Sequence, residues 1–138
     1  MLSKIIDLKI ILEKKSKLAE QERELSKPIL NDLSLVSKLY EWFNDLSIEN
    51  KGKERILNRK KFIFIVLYLY SPSALVGGKM KVGLRDKLCE VMNINERSTL
   101  SKSLNNLFYH YQIYKYFRHD INSILSGIMN RLCEEGII

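Results

Sequence analysis

The chain has 138 residues, 46% of them apolar, with 23 Lys plus Arg against 16 Asp plus Glu for a net charge of +7. That length and apolar content fit one domain with a real core and argue against two ordinary domains or global disorder. With only two His and two Cys, the composition also excludes most metal-cluster and His-based catalytic schemes.

Residues 2–25 show helical periodicity without Gly or Pro. Ile5, Leu12 and Ala19 repeat every seven residues, as do Ile11, Leu18 and Leu25, the spacing of a coiled-coil seam. Lys15 and Glu22 fall where further apolar residues belong, so a helix packed within the monomer fits as well as a dimeric coil. Charges interrupt the apolar run of Met1-Leu2-Ser3-Lys4-Ile5-Ile6-Asp7, which reads against a signal peptide. Ser26-Lys27-Pro28 punctuates the helix, and Pro is tolerated in a first helical turn. A second helix is predicted from Pro28 to about Leu46, with Ile29, Leu33, Val36, Tyr40 and Phe43 on one stripe. Asn50-Lys51-Gly52-Lys53 reads as a loop.

Residues 62–70 are apolar throughout and rich in β-branched and aromatic types, so periodicity alone does not separate a buried strand from a buried helix. A lone strand has no partner to pair with, and helix is the expectation, with Asn58 as its cap and a start near Arg59. This is the longest apolar run, far short of the roughly 20 residues a membrane-spanning helix requires. Ser71-Pro72 ends the element, and residues 76–83 read as a basic, glycine-containing loop.

The positive charge is concentrated in this middle part. Residues 1–50 carry 8 basic and 9 acidic side chains, residues 51–102 carry 12 and 4, and residues 103–138 carry 3 and 3, so the net charges are −1, +8 and 0. A surplus confined to one segment can build a local field that attracts a polyanion; the bland alternative is a solvated face that serves solubility.

Residues 84–92 read as a short helix with Leu84, Leu88, Val91 and Met92 on one face. Asn93-Ile94-Asn95 fits a tight turn, and Glu96-Arg97-Ser98-Thr99 opens a further helix whose apolar stripe is Leu100, Leu104, Leu107 and Tyr111. Helix, short turn, helix is the layout of a helix-turn-helix unit, whose second helix enters the major groove. Burying that stripe leaves Ser98, Thr99, Lys102, Asn105, Asn106 and Tyr109 on the opposite face. Asn pairs bidentately with adenine, Lys reaches guanine or phosphate, and Ser or Thr bonds either. Lys79, Lys81, Arg85 and Arg97, in or beside the loop and the helix starts, are the candidate phosphate contacts.

Leu88-Cys89-Glu90-Val91-Met92-Asn93-Ile94 resembles the second helix and turn of bacterial helix-turn-helix regulators, with Cys89 at their small-residue position and Asn93 where Gly usually sits. Ser98-Thr99-Leu100-Ser101-Lys102-Ser103-Leu104 resembles the opening of their recognition helix. The likeness covers about 20 residues. It departs from the pattern in a turn one residue longer and in the lack of a following β-hairpin wing. The chain as a whole is similar to small bacterial or phage-type proteins. The resemblance implies a DNA-binding protein, such as a transcriptional regulator or a mobile-element or phage factor.

The apolar repeat continues through Leu104, Leu107, Tyr111, Tyr114, Arg118, Ile121, Leu125, Ile128 and Leu132, with Asp120 as a candidate cap for a separate last helix. Such a seam suits an internal bundle or a dimer interface. Residues 108–117 are unusually aromatic; core packing is the commoner fate of such residues, and stacking on single-stranded bases the rarer. His110 and His119 match no metal-ligand or nucleophile pattern, and Gly77-Gly78-Lys79 lacks the spacing of a phosphate-binding P-loop.

The expectation is therefore an all-α, single-domain, multi-helix bundle that binds double-stranded DNA as a homo-oligomer joined through its heptad-like helices. No catalytic residue, metal or cofactor is expected. Cys89 and Cys133, widely spaced and outside any CxxC, read as reduced thiols of a cytoplasmic protein. The alternative is a helical assembly or partner-binding protein that does not touch nucleic acid. A third option is attachment to an anionic membrane surface.

Overall fold

The computed structural model describes residues 2–47 and 55–138, and among them every regular element is helical. In chain order these are α1 (Leu2–Leu25), α2 (Val36–Leu46), α3 (Arg55–Tyr70), α4 (Leu84–Val91), α5 (Arg97–Leu104), α6 (Leu107–Ile113) and α7 (Lys115–Glu134), with 3₁₀ turns at Leu33–Leu35 and Pro72–Val76. The expected loop at Asn50-Lys51-Gly52-Lys53 lies outside the described residues. No helix among them is long and apolar enough to cross a membrane.

α3 is the axis of the bundle. Phe62, Ile63, Phe64, Ile65, Val66, Leu67, Leu69 and Tyr70 are all buried, which is what an all-round apolar helix requires. The ambiguous segment is thus a helix. Its β-branched residues cost little propensity beside the area they bury, because α2, α5, α6, α7 and the Pro72–Val76 turn surround it. α7 contributes Phe117, Ile121, Ile124, Ile128 and Leu132, spaced by three or four residues along one face. Phe62 packs its ring against Phe43 at 5.3 Å and Tyr40 at 4.8 Å. Phe64 stacks on Tyr111 at 4.8 Å and meets Phe117 edge-on.

Four boundaries differ from expectation. α3 already includes Arg55, so Asn58 lies inside the helix and not at its cap. The second helix starts at Val36, after the Leu33–Leu35 turn, and not at Pro28. Residues 28–32 instead close off α3. The backbone N–H groups of Ile29 and Leu30 both donate to the Leu69 carbonyl, at 2.8 and 2.9 Å, satisfying an orphan acceptor at the C-terminal end of that helix. The Tyr70 hydroxyl donates to the Asp32 carbonyl at 2.5 Å, and burial, helped by the Asp32 charge, pushes that phenol up to about 12. The Asp32 carboxylate in turn accepts from the Ser34 hydroxyl and backbone N–H, which hold it below the usual carboxylate range.

The other two boundaries break the long C-terminal stripe. It is divided among α5, α6 and α7, interrupted at Asn105–Asn106 and again at Tyr114. Asn106 is left-handed, with φ of 60°, a conformation Asn tolerates better than most residues. The last helix begins at Lys115, not at Asp120. Asp120 instead accepts from the ammonium of Lys61, 2.8 Å away and fully buried.

α1 stands apart from this core. None of its residues is buried.

Candidate nucleic-acid interface

α4 and α5 are joined by residues 92–96, and the local sequence explains the turn. Asn93 adopts φ of 57°. The Ile94 N–H donates to the Cys89 carbonyl at 2.8 Å and the Asn93 N–H to the Glu90 carbonyl at 3.3 Å, the paired bonds of a Schellman motif. Ile94 is buried and anchors the turn to the core. Asn93 thus supplies the left-handed residue that Gly more often provides.

Two polar links tie the helices together. Arg85 donates to the Ser101 hydroxyl at 3.0 Å, and Arg97 pairs with Asp86. Leu84, Leu88 and Leu100 face the core, which turns Ser98 and Lys102 outward, both exposed, with Thr99 half-buried. Lys102 makes no ion pair among the described residues.

The remaining candidates divide. Asn105 and Asn106 lie in the α5–α6 junction, off the helical face that carries Ser98 and Lys102, because the helix ends at Leu104. Both are exposed. With Gly77, Gly78, Arg85 and Tyr109 they line an open groove of about 430 Å³. Lys79 follows Gly78 at its edge, exposed, and makes no ion pair among the described residues. The tight path of that loop depends on Gly78, where an added Cβ would lie 2.8 Å from the Ser73 carbonyl oxygen.

Lys81 points elsewhere. Its ammonium donates to the Asn31 carbonyl at 2.8 Å and lies 5.8 Å from the centre of the Tyr70 ring. It fastens the loop to the end of α3 and stands apart from Lys79 in its surroundings. Arg97 shares its charge with Asp86, though both side chains stay largely exposed.

Reading the sequence alone misses a second basic cluster. Arg55 and Arg59, on the first turns of α3, line a groove of about 310 Å³ with Tyr40, Asn44, Asn58 and Met92. Met92 belongs to the α4–α5 turn, so the N-terminal end of α3 neighbours that turn. The available signal is the set of basic residues at 55 and 59–61, the last three of which directly precede an apolar stretch that speaks of fold alone.

The aromatic stretch 108–117 splits between the two fates expected for it. Phe117 is buried and Tyr111 half-buried against Phe64, whereas Tyr109, Tyr114 and Tyr116 are exposed. His110 stacks on Tyr114 at 5.5 Å. Its Nδ1 is buried without a hydrogen-bond partner among the described residues, and burial, then the Lys60 charge, holds the imidazole below its ordinary value.

Compared with protein-family models, curated proteins and solved structures, the chain matches none.

Proposed function

We propose that this protein binds double-stranded DNA, using α4 and α5 as a helix-turn-helix unit. The observation that carries the reading is the coincidence of three features in one segment. A helix, a tight turn and a second helix are locked to each other; the outer face of the second helix offers Ser98 and Lys102; and the segment from 51 to 102 holds the whole positive surplus of the chain. Ser98, Thr99 and Lys102 are the base-facing group, and Asn105 and Asn106 contact DNA from the junction groove rather than from the helix face. Lys79 and Arg85 hold phosphates, with Arg97 shared between Asp86 and the backbone of the DNA. Two copies would address paired half-sites.

The test is fluorescence anisotropy with labelled duplex DNA over a salt series. Affinity should fall steeply as salt rises, Lys79→Ala should reduce the log–log slope by about 1, and Lys102→Ala should relax the preference for one base sequence over another. Lys81→Ala should leave the slope unchanged. No binding to any duplex at low salt overturns the proposal.

A second reading, an assembly protein that does not touch nucleic acid, is favoured by α1, a 24-residue helix with no buried residue.

A further inference from the structure

Leu2, Ile5, Ile6, Leu8, Ile10, Ile11, Leu12, Leu18 and Leu25 of α1 are each between 44% and 82% exposed. Helices draw most of their stability from tertiary packing, and α1, whose apolar residues are spread around its circumference, buries none of them against its own core. An uncovered apolar surface of this extent is an interaction site.

The order of residues along one line of α1 says what can cover that line. Because the helix is continuous from Leu2 to Leu25, positions 4, 8, 11, 15, 18, 22 and 25 fall on one line, with spacings of four and three. The line reads Lys4, Leu8, Ile11, Lys15, Leu18, Glu22, Leu25. Two parallel copies in register would set Lys4 against Lys4, Lys15 against Lys15 and Glu22 against Glu22. Two antiparallel copies that cross near residue 13 oppose residues whose numbers sum to 26. Lys4 then faces the second copy's Glu22, Leu8 faces Leu18, and Ile11 faces the aliphatic stem of Lys15, each contact occurring twice by symmetry.

The same polarity runs along the whole helix. Residues 2–17 carry five Lys and two acidic groups, and residues 18–25 carry three Glu and one Arg. Antiparallel pairing lays the basic end of each copy over the acidic end of the other. It also brings the apolar N-terminal turn of the second copy beside an open groove lined by Leu18, Leu25, Pro72 and Val76.

We infer that α1 pairs antiparallel with α1 of a second copy, in the register that matches Lys4 with Glu22. This deepens the two-copy element of the function proposed above, and its test needs no DNA.

The experiment is sedimentation equilibrium of the full chain and of three variants, with circular dichroism confirming the helical content of each. The wild type should associate as a dimer. Lys4→Glu and Glu22→Lys should each weaken association, roughly tenfold or more, since each places like charges together at two symmetric positions. The double variant Lys4→Glu/Glu22→Lys should associate within about twofold of wild type, and a mixture of the two single variants should form heterodimers preferentially. A monomeric wild type at tens of micromolar overturns the inference, as does a double variant no better than the singles. So does binding of monomers to phosphatidylserine vesicles without self-association, which would make lipid the occupant. Dimerisation with no DNA binding would sink the function proposed above and leave this pairing standing.

Discussion

Asp120→Ala should destabilise the protein far more than Lys61→Met, although each substitution breaks the same ion pair. The Lys61 ammonium is fully buried and donates to Asp120 at 2.8 Å, while the Asp120 side chain is 30% exposed. Removing the carboxylate in Asp120→Ala takes from a fully buried cation the carboxylate that accepts from it at 2.8 Å. Breaking one side of a buried pair costs about 3–5 kcal/mol, and the partial exposure of Asp120, which lets water approach, places this case near about 3 kcal/mol. For a chain of 138 residues that corresponds to a fall in Tm of roughly 10 °C. Replacing the other partner has a different outcome. Lys61→Met keeps the length of the side chain, removes the buried charge, and leaves a carboxylate that water can reach. Its cost should stay within about 1 kcal/mol.

The check is urea denaturation at pH 7.5 of wild type, both single variants and the double variant. In the Lys61→Met background, Asp120→Ala should cost almost nothing, so the double variant should be more stable than Asp120→Ala alone. Strictly additive losses would refute the reasoning, because they would mean that the two groups do not act through one another. Equal losses in the two single variants would refute it too, by showing that the charge pair itself, and not the cation that Asp120→Ala leaves buried, sets the energy.

Three further outcomes follow from local geometry. Asn106 and Asn93 are left-handed, so Asn106→Val and Asn93→Val should each lose about 1–2 kcal/mol in thermal melts, while the Gly variants stay near wild type. His110 binds protons less readily folded than unfolded, so its contribution is fully present above its unfolded pKa and is lost as pH falls below it; urea midpoints should therefore drop between pH 7.5 and 5.5, and His110→Phe should flatten that dependence. Tyr70→Phe removes the donor to the Asp32 carbonyl and should cost about 1 kcal/mol by chemical denaturation, with the Leu33–Leu35 turn exchanging amide hydrogens faster.

Much of the fold is legible because apolar spacing is a strong signal over long stretches. The 2–25 helix and the α4–turn–α5 layout follow from spacing and from Asn93, whereas the helix through 62–70, which spacing leaves open, follows from the want of a strand to pair with it and ends at Pro72. What is not legible depends on tertiary partners. Nothing within residues 28–32 reveals that Ile29 and Leu30 are needed to satisfy the Leu69 carbonyl, which is 39 or more positions away along the chain. The stripe through Leu100, Leu104, Leu107 and Tyr111 reads as continuous because both Asn residues at the break are compatible with a helix, and only their backbone angles exclude one. For the same reason a single helical wheel places Asn105 and Asn106 beside Lys102, whereas the break turns them into the groove with Arg85.

The charge surplus of the middle segment also changes meaning once each residue has a neighbour. Lys61 is engaged inside the core by Asp120, Lys81 is held against Asn31 and the face of Tyr70, and Arg97 is opposed by Asp86. Those three basic groups have structural work to do whether or not a polyanion ever binds. Among the described residues Lys79 and Lys102 have none, and Arg85 spans both roles, bonded to Ser101 while facing the groove of Asn105 and Asn106. A solubilising face would need no such division, since any exposed cation serves it equally. A binding face makes a sharper demand: Lys79, at the groove edge and without an ion pair among the described residues, must contribute to the salt dependence, and Lys81, held against Asn31, must contribute little. Comparing Lys79→Ala with Lys81→Ala on one DNA duplex over a salt series therefore separates the two uses of the same charge.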